Sequence, residues 1–274
     1  MRRLQGVRYV VPLREGGSLP AVVETDVGGA FVVKFRGAGQ GPKALVAEAL
    51  AAGLARLFDL PVPEPAIVVL ERDFGKGEPD PEIQDILRGS AGENFGLAFL
   101  MGALAFDPAV DRTVDPDLAA AIVWFDAFIT NVDRTVRNTN LLVRHEQVWL
   151  IDHGASLYFH HNWKGWESRI QSPFPPIKDH VLLHVAGDLA AADRRLRPLA
   201  TDAAIRAVVD DVPAAWLDDE PAVGDAAAVR DAYVTYLTAR LHGPRDWLQE
   251  AIDAQSREPE RLARRLTHRV TGQR

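Results

Sequence analysis

The chain has 274 residues, of which 47% are hydrophobic and 25% are charged, and its formal net charge is -7. This acidic balance argues against nonspecific binding to nucleic acid, which requires clustered Lys and Arg. The sequence contains no cysteine, which excludes disulfides, thiolate metal sites and cysteine nucleophiles. No apolar stretch follows Met1 as in a signal peptide, and no apolar run is long enough to span a membrane. We therefore expect a cytoplasmic protein without a membrane partner.

The first third of the sequence has the composition of β-strands. Residues 7–13, 21–25 and 31–35 are apolar and β-branched, and glycine-bearing turns separate them. This arrangement predicts an antiparallel meander of three strands. The glycine-rich connector at residues 36–42 is interpreted as a flexible link.

An Ala- and Leu-rich segment follows, with apolar residues at helical spacing. It predicts a helix over residues 43–58, preceded by Pro42, which a helix start tolerates. Further along, residues 66–70 and 95–101 predict two more strands. The polar insertion between those strands carries a short predicted helix at residues 81–87.

Helical patterns dominate from residue 116 onward. Asp115 and Pro116 are placed to start a helix over residues 116–130, because aspartate caps helix N-termini and proline suits the first turn. A hairpin of two short strands follows at residues 140–144 and 147–151. The remaining predicted helices cover residues 180–193, 202–210, 225–241 and 244–269.

This order of elements predicts an α+β fold in two parts. Residues 1–101 form the β-rich part, with one helix, and residues 102–274 form the mostly α-helical part. The segment at residues 97–104 crosses from one part to the other.

One stretch of the sequence carries a spaced set of metal-binding residue types. Asp133 and Asn138 lie in a predicted loop between a helix and the hairpin, and Asp152 follows the second strand of that hairpin. A short hairpin brings its two ends together, so Asn138 and Asp152 can share a cation, and their oxygen ligands suit Mg²⁺. Asp133 would then orient or deprotonate an acceptor hydroxyl. Each residue taken singly is equally compatible with an ordinary turn, where Asp and Asn are common.

The stretch resembles the DRxxxN catalytic loop and the DxG metal motif of HipA-like kinases. Asp133, Arg134 and Asn138 match the loop, which usually reads DRHxxN in that family. Thr135 stands in place of the histidine, so any role that the imidazole has in the family is not implied for this chain. The roles implied for the aspartate and the asparagine are unaffected. His153 occupies the variable middle position of the DxG motif.

The resemblance implies a bilobal protein-kinase-like fold, related to protein kinases and phosphoinositide kinases. Residues 1–101 would be an ATP-binding N-lobe and residues 102–274 a C-lobe with the catalytic loop. ATP and Mg²⁺ are the implied cofactors, and a serine or threonine of an unidentified protein is the implied acceptor. Asp133, Asn138 and Asp152 would be catalytic, with Asn138 and Asp152 binding the metal.

The N-terminal third supplies two charged residues that such a kinase needs. Lys34 lies within the third predicted strand, and Glu48 is the only acidic residue of the following predicted helix. Either residue could simply face solvent. Their joint occurrence favours an ion pair that takes part in ATP binding.

Two further segments are candidates for contact with ATP. Gly16, Gly17 and Ser18 join the first two strands and could approach the phosphates through their backbone N–H groups. Phe99 and Met101 fall where adenine would lie against the strand between the lobes. A plain core strand explains that second segment equally well.

Other interpretations remain open at this point. The acceptor could be a small molecule or a lipid head group, and Thr135 is compatible with a nucleotide-binding scaffold that has lost catalysis. His180 and His184 share a predicted helical face and allow a zinc site with His153, His160 or His161, although the glutamate of an HExxH motif is absent. The basic run at residues 261–274 is either a solvated helix face or a surface for RNA or an acidic partner.

Overall fold

The computed structural model describes residues 1–13, 19–110, 114–217 and 220–271, with side chains as far as residue 258. The strands in this part of the chain are β1 (Arg2–Pro12), β2 (Ala21–Thr25), β3 (Ala30–Lys34), β4 (Pro65–Leu70), β5 (Gly92–Ala98), β6 (Leu104–Ala105), β7 (Leu141–Arg144) and β8 (Gln147–Leu150). The helices are α1 (Gly41–Leu57), α2 (Pro81–Gly89), α3 (Pro116–Phe128), α4 (Leu189–Leu196), α5 (Asp202–Asp210), α6 (Ala226–His242) and α7 (Asp246–Thr271). The predicted α+β class is confirmed.

The first five strands form a closed barrel in the order β1-β2-β3-β5-β4. The predicted meander of β1, β2 and β3 is present within it, with antiparallel pairing throughout. The barrel closes because the first half of β1 pairs in parallel with β4, from Arg2 opposite Ala66 to Gln5 opposite Val69. This pairing also explains why β1 begins at Arg2 and not at residue 7 as predicted.

Helix α1 is apolar on nearly all sides because it lies between the barrel and the C-terminal helices. All nine residues from Ala44 to Ala52 are buried. The apolar residues of α1 belong to the same core cluster as those of α3, α6 and α7, whereas the barrel interior packs separately with α2. Helix α1 also approaches α5 closely, since a Cβ on Gly53 would lie 2.6 Å from Cγ1 of Val208. The helix is therefore fixed to the helical half of the molecule.

The C-terminal half is helical, but the start of α4 lies far from its predicted position. The predicted helix over residues 180–193 is wrong in its first half, because α4 begins only at Leu189. Asp188 caps α4 by accepting from the N–H groups of Ala190 and Ala191. The apolar residues 181–183 are buried in a turn, so their spacing reflects burial and not a helical face. Among the residues described, no helix combines the length and apolar character needed to cross a membrane.

Candidate active site

Lys34, at the end of β3, lies between two carboxylates. Its Nζ is 2.5 Å from Oε1 of Glu48 on α1 and 2.5 Å from Oδ1 of Asp152, which follows β8. The Glu48 side chain is fully buried, whereas the Asp152 side chain is 43% exposed. The structure thus brings together three predicted site residues that are far apart in sequence, at a place that solvent reaches from the Asp152 side.

Gly154 allows α1 to approach the segment that carries Asp152. A Cβ at position 154 would lie 3.3 Å from Oε1 of Glu48 and 3.7 Å from Cβ of Ala44. The first of these contacts is tighter than van der Waals packing readily tolerates. The glycine of the DxG motif is therefore needed here for close approach.

The three charges of this cluster shift one another's pKa values. Burial favours neutral Lys34, but the carboxylates of Glu48 and Asp152 outweigh it and raise the pKa of Lys34. Burial also favours neutral Asp152, but the charge and hydrogen bond of Lys34 lower its pKa on balance. Burial raises the pKa of Glu48, with Lys34 opposing and Asp152 adding to the effect. One cation therefore serves two carboxyl groups, so the cluster has an excess of negative charge whenever both are ionised.

His153 lies beside Glu48 as an uncharged ring. Its Nδ1 is 3.9 Å from Oε2 of Glu48, and its ring packs edge-on against Phe125. Burial lowers the pKa of His153 to about 3. At neutral pH the imidazole is uncharged and does not balance the negative charge of Glu48.

Asp133 is held by amide groups of its own loop. Its backbone N–H donates to Oδ1 of Asn131 at 3.1 Å. Its Oδ2 accepts from Nδ2 of Asn138 at 2.7 Å and from Nδ2 of Asn140 at 3.3 Å. Its Oδ1 has no hydrogen-bond partner among the described residues. One carboxylate oxygen is therefore fixed, and the other is free for a further group.

The hairpin of β7 and β8 brings Asp152 back to the end of this loop. Leu141 pairs with Leu150, and the N–H of Ile151 donates to the carbonyl of Asn140 at 3.1 Å. Asn140 and Asp152 both have left-handed backbone conformations, with φ of 49° and 53°. Residues other than glycine seldom adopt this conformation, and such residues concentrate at functional sites.

Comparison with known protein families agrees with this geometry. The family model of HipA-like kinases matches residues 8–249. The chain belongs to the HipA-like kinase family. Its fold is also similar to that in the crystal structure of a Helicobacter pylori proinflammatory kinase, CtkA, at 14% sequence identity and a TM-score of 0.54, covering 85% of this chain and 94% of that chain. A search among curated proteins finds no match.

Arg134 of the kinase loop belongs to a buried network that the motif alone does not predict. Oδ2 of Asp126, on α3, accepts from Nε of Arg134 at 2.6 Å and lies 2.9 Å from Nε2 of His180. Its Oδ1 accepts from Nδ2 of Asn131 at 2.9 Å. One signal for this network is present in the sequence: Asp126 is the only charged residue in the apolar run at residues 118–129, and a buried charge requires a partner.

Through Arg134 the network reaches the hairpin. Nη1 of Arg134 donates to the carbonyl of Asn140 and lies 3.4 Å from the carbonyl of Ile151. Burial favours the neutral acid at Asp126, but the charge of Arg134 and the hydrogen bond of His180 outweigh it and hold the pKa of Asp126 below its ordinary value. A charge-balanced pair thus connects α3 to both ends of the hairpin.

Thr135 contributes its backbone to the loop. Its N–H is shared between the carbonyls of Asp133 at 3.0 Å and Asn138 at 2.9 Å. Within the described part of the chain its hydroxyl forms no hydrogen bond. Thr135 also forms an isolated antiparallel bridge with His180. His180 is therefore a histidine that the structure pairs with this loop through the backbone.

Members of a kinase family use ATP and usually a divalent cation, and the donors present here suit one. Asp152 offers a partly exposed carboxylate, and Asn138 turns its amide nitrogen to Asp133. The amide oxygen of Asn138 then has no partner among the described residues. No contact between Asn138 and Asp152 is found in that part of the chain, so the predicted sharing of one cation stays a prediction. Two oxygen ligands completed by phosphate oxygens are typical of Mg²⁺ sites.

The histidines considered for zinc do not form a common site. Nδ1 of His160 lies 2.8 Å from the hydroxyl of Tyr233, whereas His180 contacts Asp126 and His184 is exposed. Among the described residues, no group of three or more His, Asp or Glu could hold a metal ion.

The two segments predicted to contact the nucleotide have different outcomes. Residues 16–18 lie outside the described residues. The strand predicted to reach residue 101 is wrong at its end, because β5 stops at Ala98 and the chain turns at Gly102, whose φ is 78°. Phe99 and Met101 therefore lie in the connection from β5 to β6, where the two residues are 41% and 76% exposed.

Proposed function

We propose that this kinase transfers the γ-phosphoryl group of ATP to a serine or threonine hydroxyl of a protein. The reaction would take place between an N-lobe of residues 1–101 and a C-lobe of residues 102–274. The observation that carries the proposal is the position of Lys34, whose Nζ is 2.5 Å from both Glu48 and Asp152. A lysine held by a helix glutamate and lying next to a metal-binding aspartate is a requirement for phosphoryl transfer in kinases.

Each residue of the cluster then has a role in the reaction. Lys34 binds ATP phosphates, and Glu48 keeps its Nζ in place. Asn138 and Asp152 would hold Mg²⁺, which neutralises phosphate charge when bound. The free Oδ1 of Asp133 accepts the hydrogen bond, and then the proton, of the acceptor hydroxyl. The acceptor oxygen forms its bond to the γ-phosphorus as the bond to the bridging β–γ oxygen breaks, and ADP leaves.

The nucleotide would contact the segments at either end of the barrel. We assign adenine recognition to the backbone around Phe99 and Met101, because this connection joins β5 to β6 and β6 pairs with β7 of the hairpin. Gly16, Gly17 and Ser18 would cover the phosphates, as their place between β1 and β2 favours.

Two isosteric variants test the proposal. Asp133→Asn and Asp152→Asn remove one charge each, and we expect ATP turnover to fall by about 100-fold or more, since general-base catalysis alone contributes roughly 10²–10⁴. Asp210→Asn is the matched control, because Asp210 is exposed at the end of α5. Turnover like that of the control in both site variants, with unfolding temperatures unchanged, would contradict the proposal.

The acceptor class is tested separately. The protein is incubated with ATP labelled at the γ-phosphate and a cell extract, and label in protein is separated from label in metabolites and lipids. Phosphoserine or phosphothreonine that disappears with Asp152→Asn supports a protein acceptor. Label confined to small molecules or lipids points to the alternative kinase classes, and ATP binding without any transfer points to a scaffold.

A further inference from the structure

The segment before α4 docks onto the catalytic loop through its backbone. His180 pairs with Thr135 in the antiparallel bridge, and the N–H of Val181 donates to the carbonyl of Arg134 at 3.1 Å. His180 ends a run of 3₁₀ turns that starts at Tyr158, shortly after Asp152. The chain that leaves the metal motif thus returns to the loop at His180.

The side chain of His180 has one defined hydrogen-bonding state. Its Nδ1 accepts from the N–H of Leu182 at 3.1 Å, so Nδ1 carries no proton. The ring therefore donates through Nε2, which lies 2.9 Å from Oδ2 of Asp126. Both groups are buried, with the two side chains 2% and 0% exposed. Few conformations are open to a buried ring with both nitrogens engaged.

Asp126 connects the fixed ring of His180 to the groups of the proposed reaction. The oxygen that faces His180 also accepts from Nε of Arg134, and Arg134 binds the carbonyls of Asn140 and Ile151. Ile151 immediately precedes Asp152, and Asn140 donates its side-chain amide to Asp133. The contacts from His180 therefore lead to both carboxylates of the proposed reaction.

We propose that His180 is a positioning residue of this kinase, which aligns Asp133 and Asp152 through Asp126 and Arg134. It does so only while the segment at residues 158–180 is docked on the loop. The inference rests on the proposed function for the roles of the two aspartates. His180 itself touches no reacting atom. The Asp126–Arg134 ion pair does not include His180, so we expect the fold to persist and the alignment to loosen when His180 is replaced.

Two substitutions distinguish the hydrogen bonds made by the two ring nitrogens of His180. His180→Gln places a donor near the position of Nε2 and keeps the bond to Asp126, whereas His180→Asn places an acceptor near Nδ1 and keeps only the bond from Leu182. We expect His180→Asn to lower kcat by about 10- to 100-fold with KM for ATP nearly unchanged, because small misplacements of catalytic groups cost this much. His180→Gln should remain within about threefold of wild type. His184→Ala is the matched control, since His184 is exposed in the same turn.

Hydrogen exchange gives a second measurement that does not depend on activity. The amide of Val181 should exchange faster in His180→Asn than in His180→Gln or His184→Ala, because its hydrogen bond to the carbonyl of Arg134 depends on docking of the segment. Equal loss of kcat in the Gln and Asn variants, in proportion to lost stability, would overturn the inference and leave His180 a packing residue. A wild-type chain without ATP turnover would instead overturn the proposed function, and hydrogen exchange would still decide whether His180 holds the loop.

Discussion

The cluster around Lys34 and the cluster around Asp126 both bury an ion pair, but they differ in charge and in access to solvent. Lys34 is shared by two carboxylates, one of them 43% exposed. Asp126 is paired with a single guanidinium at full burial, and neutral His180 and Asn131 complete its hydrogen bonds. The first cluster has unbalanced negative charge at an opening, and the second is balanced and closed.

This difference suits the Lys34 cluster to binding a ligand and the Asp126 cluster to stabilising the fold. An excess of negative charge beside solvent is where a divalent cation and its phosphates can be accommodated, as proposed for Asp152. A closed, charge-balanced pair is inaccessible to a ligand, and breaking it leaves an uncompensated charge. We therefore expect substitutions in the Asp126 cluster to affect folding most, and substitutions in the Lys34 cluster to affect turnover most.

Asp126→Asn should have the largest effect on stability. It leaves Arg134 buried without a counter-ion, and we expect a loss of about 3–5 kcal/mol in urea unfolding at pH 7.5. The folded pKa of Asp126 is lowered, so its contribution is present above the unfolded pKa of about 3.9 and is lost as pH falls below it. The difference between wild type and variant should thus be nearly complete at pH 5 and shrink as pH falls below about 4. Equal stability of the two proteins at pH 7.5 would contradict the description of this cluster as the closed one.

Lys34→Met should cost less stability, about 1–3 kcal/mol, while abolishing ATP turnover. Without the lysine the buried carboxyl of Glu48 takes up a proton, which limits the loss. In the variant a raised folded pKa gives stability at low pH that is lost as pH rises through the folded value, so the deficit relative to wild type grows with pH, as it does for Asp126→Asn. Unfolding of the variant at pH 5.5 and pH 8 checks this, and a deficit that is larger at pH 5.5 would contradict it.

Much of the fold could be predicted because its signals are local. Asp115 does cap α3, accepting from the N–H of Leu118 at 2.9 Å, and α5 has the predicted bounds. Residues whose partners lie far away in sequence left weaker signals. The barrel is closed by the parallel pairing of Arg2 with Ala66. No periodic pattern within a single sequence indicates which distant strand will pair with β1.

The candidate site follows the same division. Lys34, Glu48 and Asp152 were predicted from residue types that ATP chemistry demands, and the structure places them in contact. For His180 the sequence predicts a different setting, a helical face shared with His184 four residues later. Its contact with Asp126 depends on where the chain returns after the metal motif, and neither residue alone indicates the other.

Gly154→Ala should have an intermediate effect that is stronger on turnover than on stability. The added Cβ would lie 3.3 Å from Oε1 of Glu48 and would displace that carboxylate from Lys34. We expect a loss of about 1 kcal/mol and a fall of roughly tenfold in ATP turnover, as for other small displacements of catalytic groups. Gly39→Ala is the control, because a Cβ there meets nothing within 4 Å. The two variants behaving alike would show that close approach at position 154 is not required.

The smallest effect on stability is expected from substitution of Lys43, in the first turn of α1. Its Nζ is 2.5 Å from Oε1 of Glu220 and donates to the carbonyl of His160 at 2.8 Å, yet the lysine side chain is 34% exposed. Lys43→Gln should therefore cost no more than about 1 kcal/mol, and salt near 1 M should remove most of the difference.

The effect of Lys43→Gln on turnover is the more informative measurement. The apolar contacts of α1 with the helical half should keep Glu48 beside Lys34 when the surface pair is lost, so we expect ATP turnover within about twofold of wild type. Arg206→Gln, which removes a comparable pair with Asp231, serves as control. A tenfold loss in Lys43→Gln alone would mean that α1 is held by its ion pair rather than by its core, and that the open cluster depends on a surface contact for its geometry.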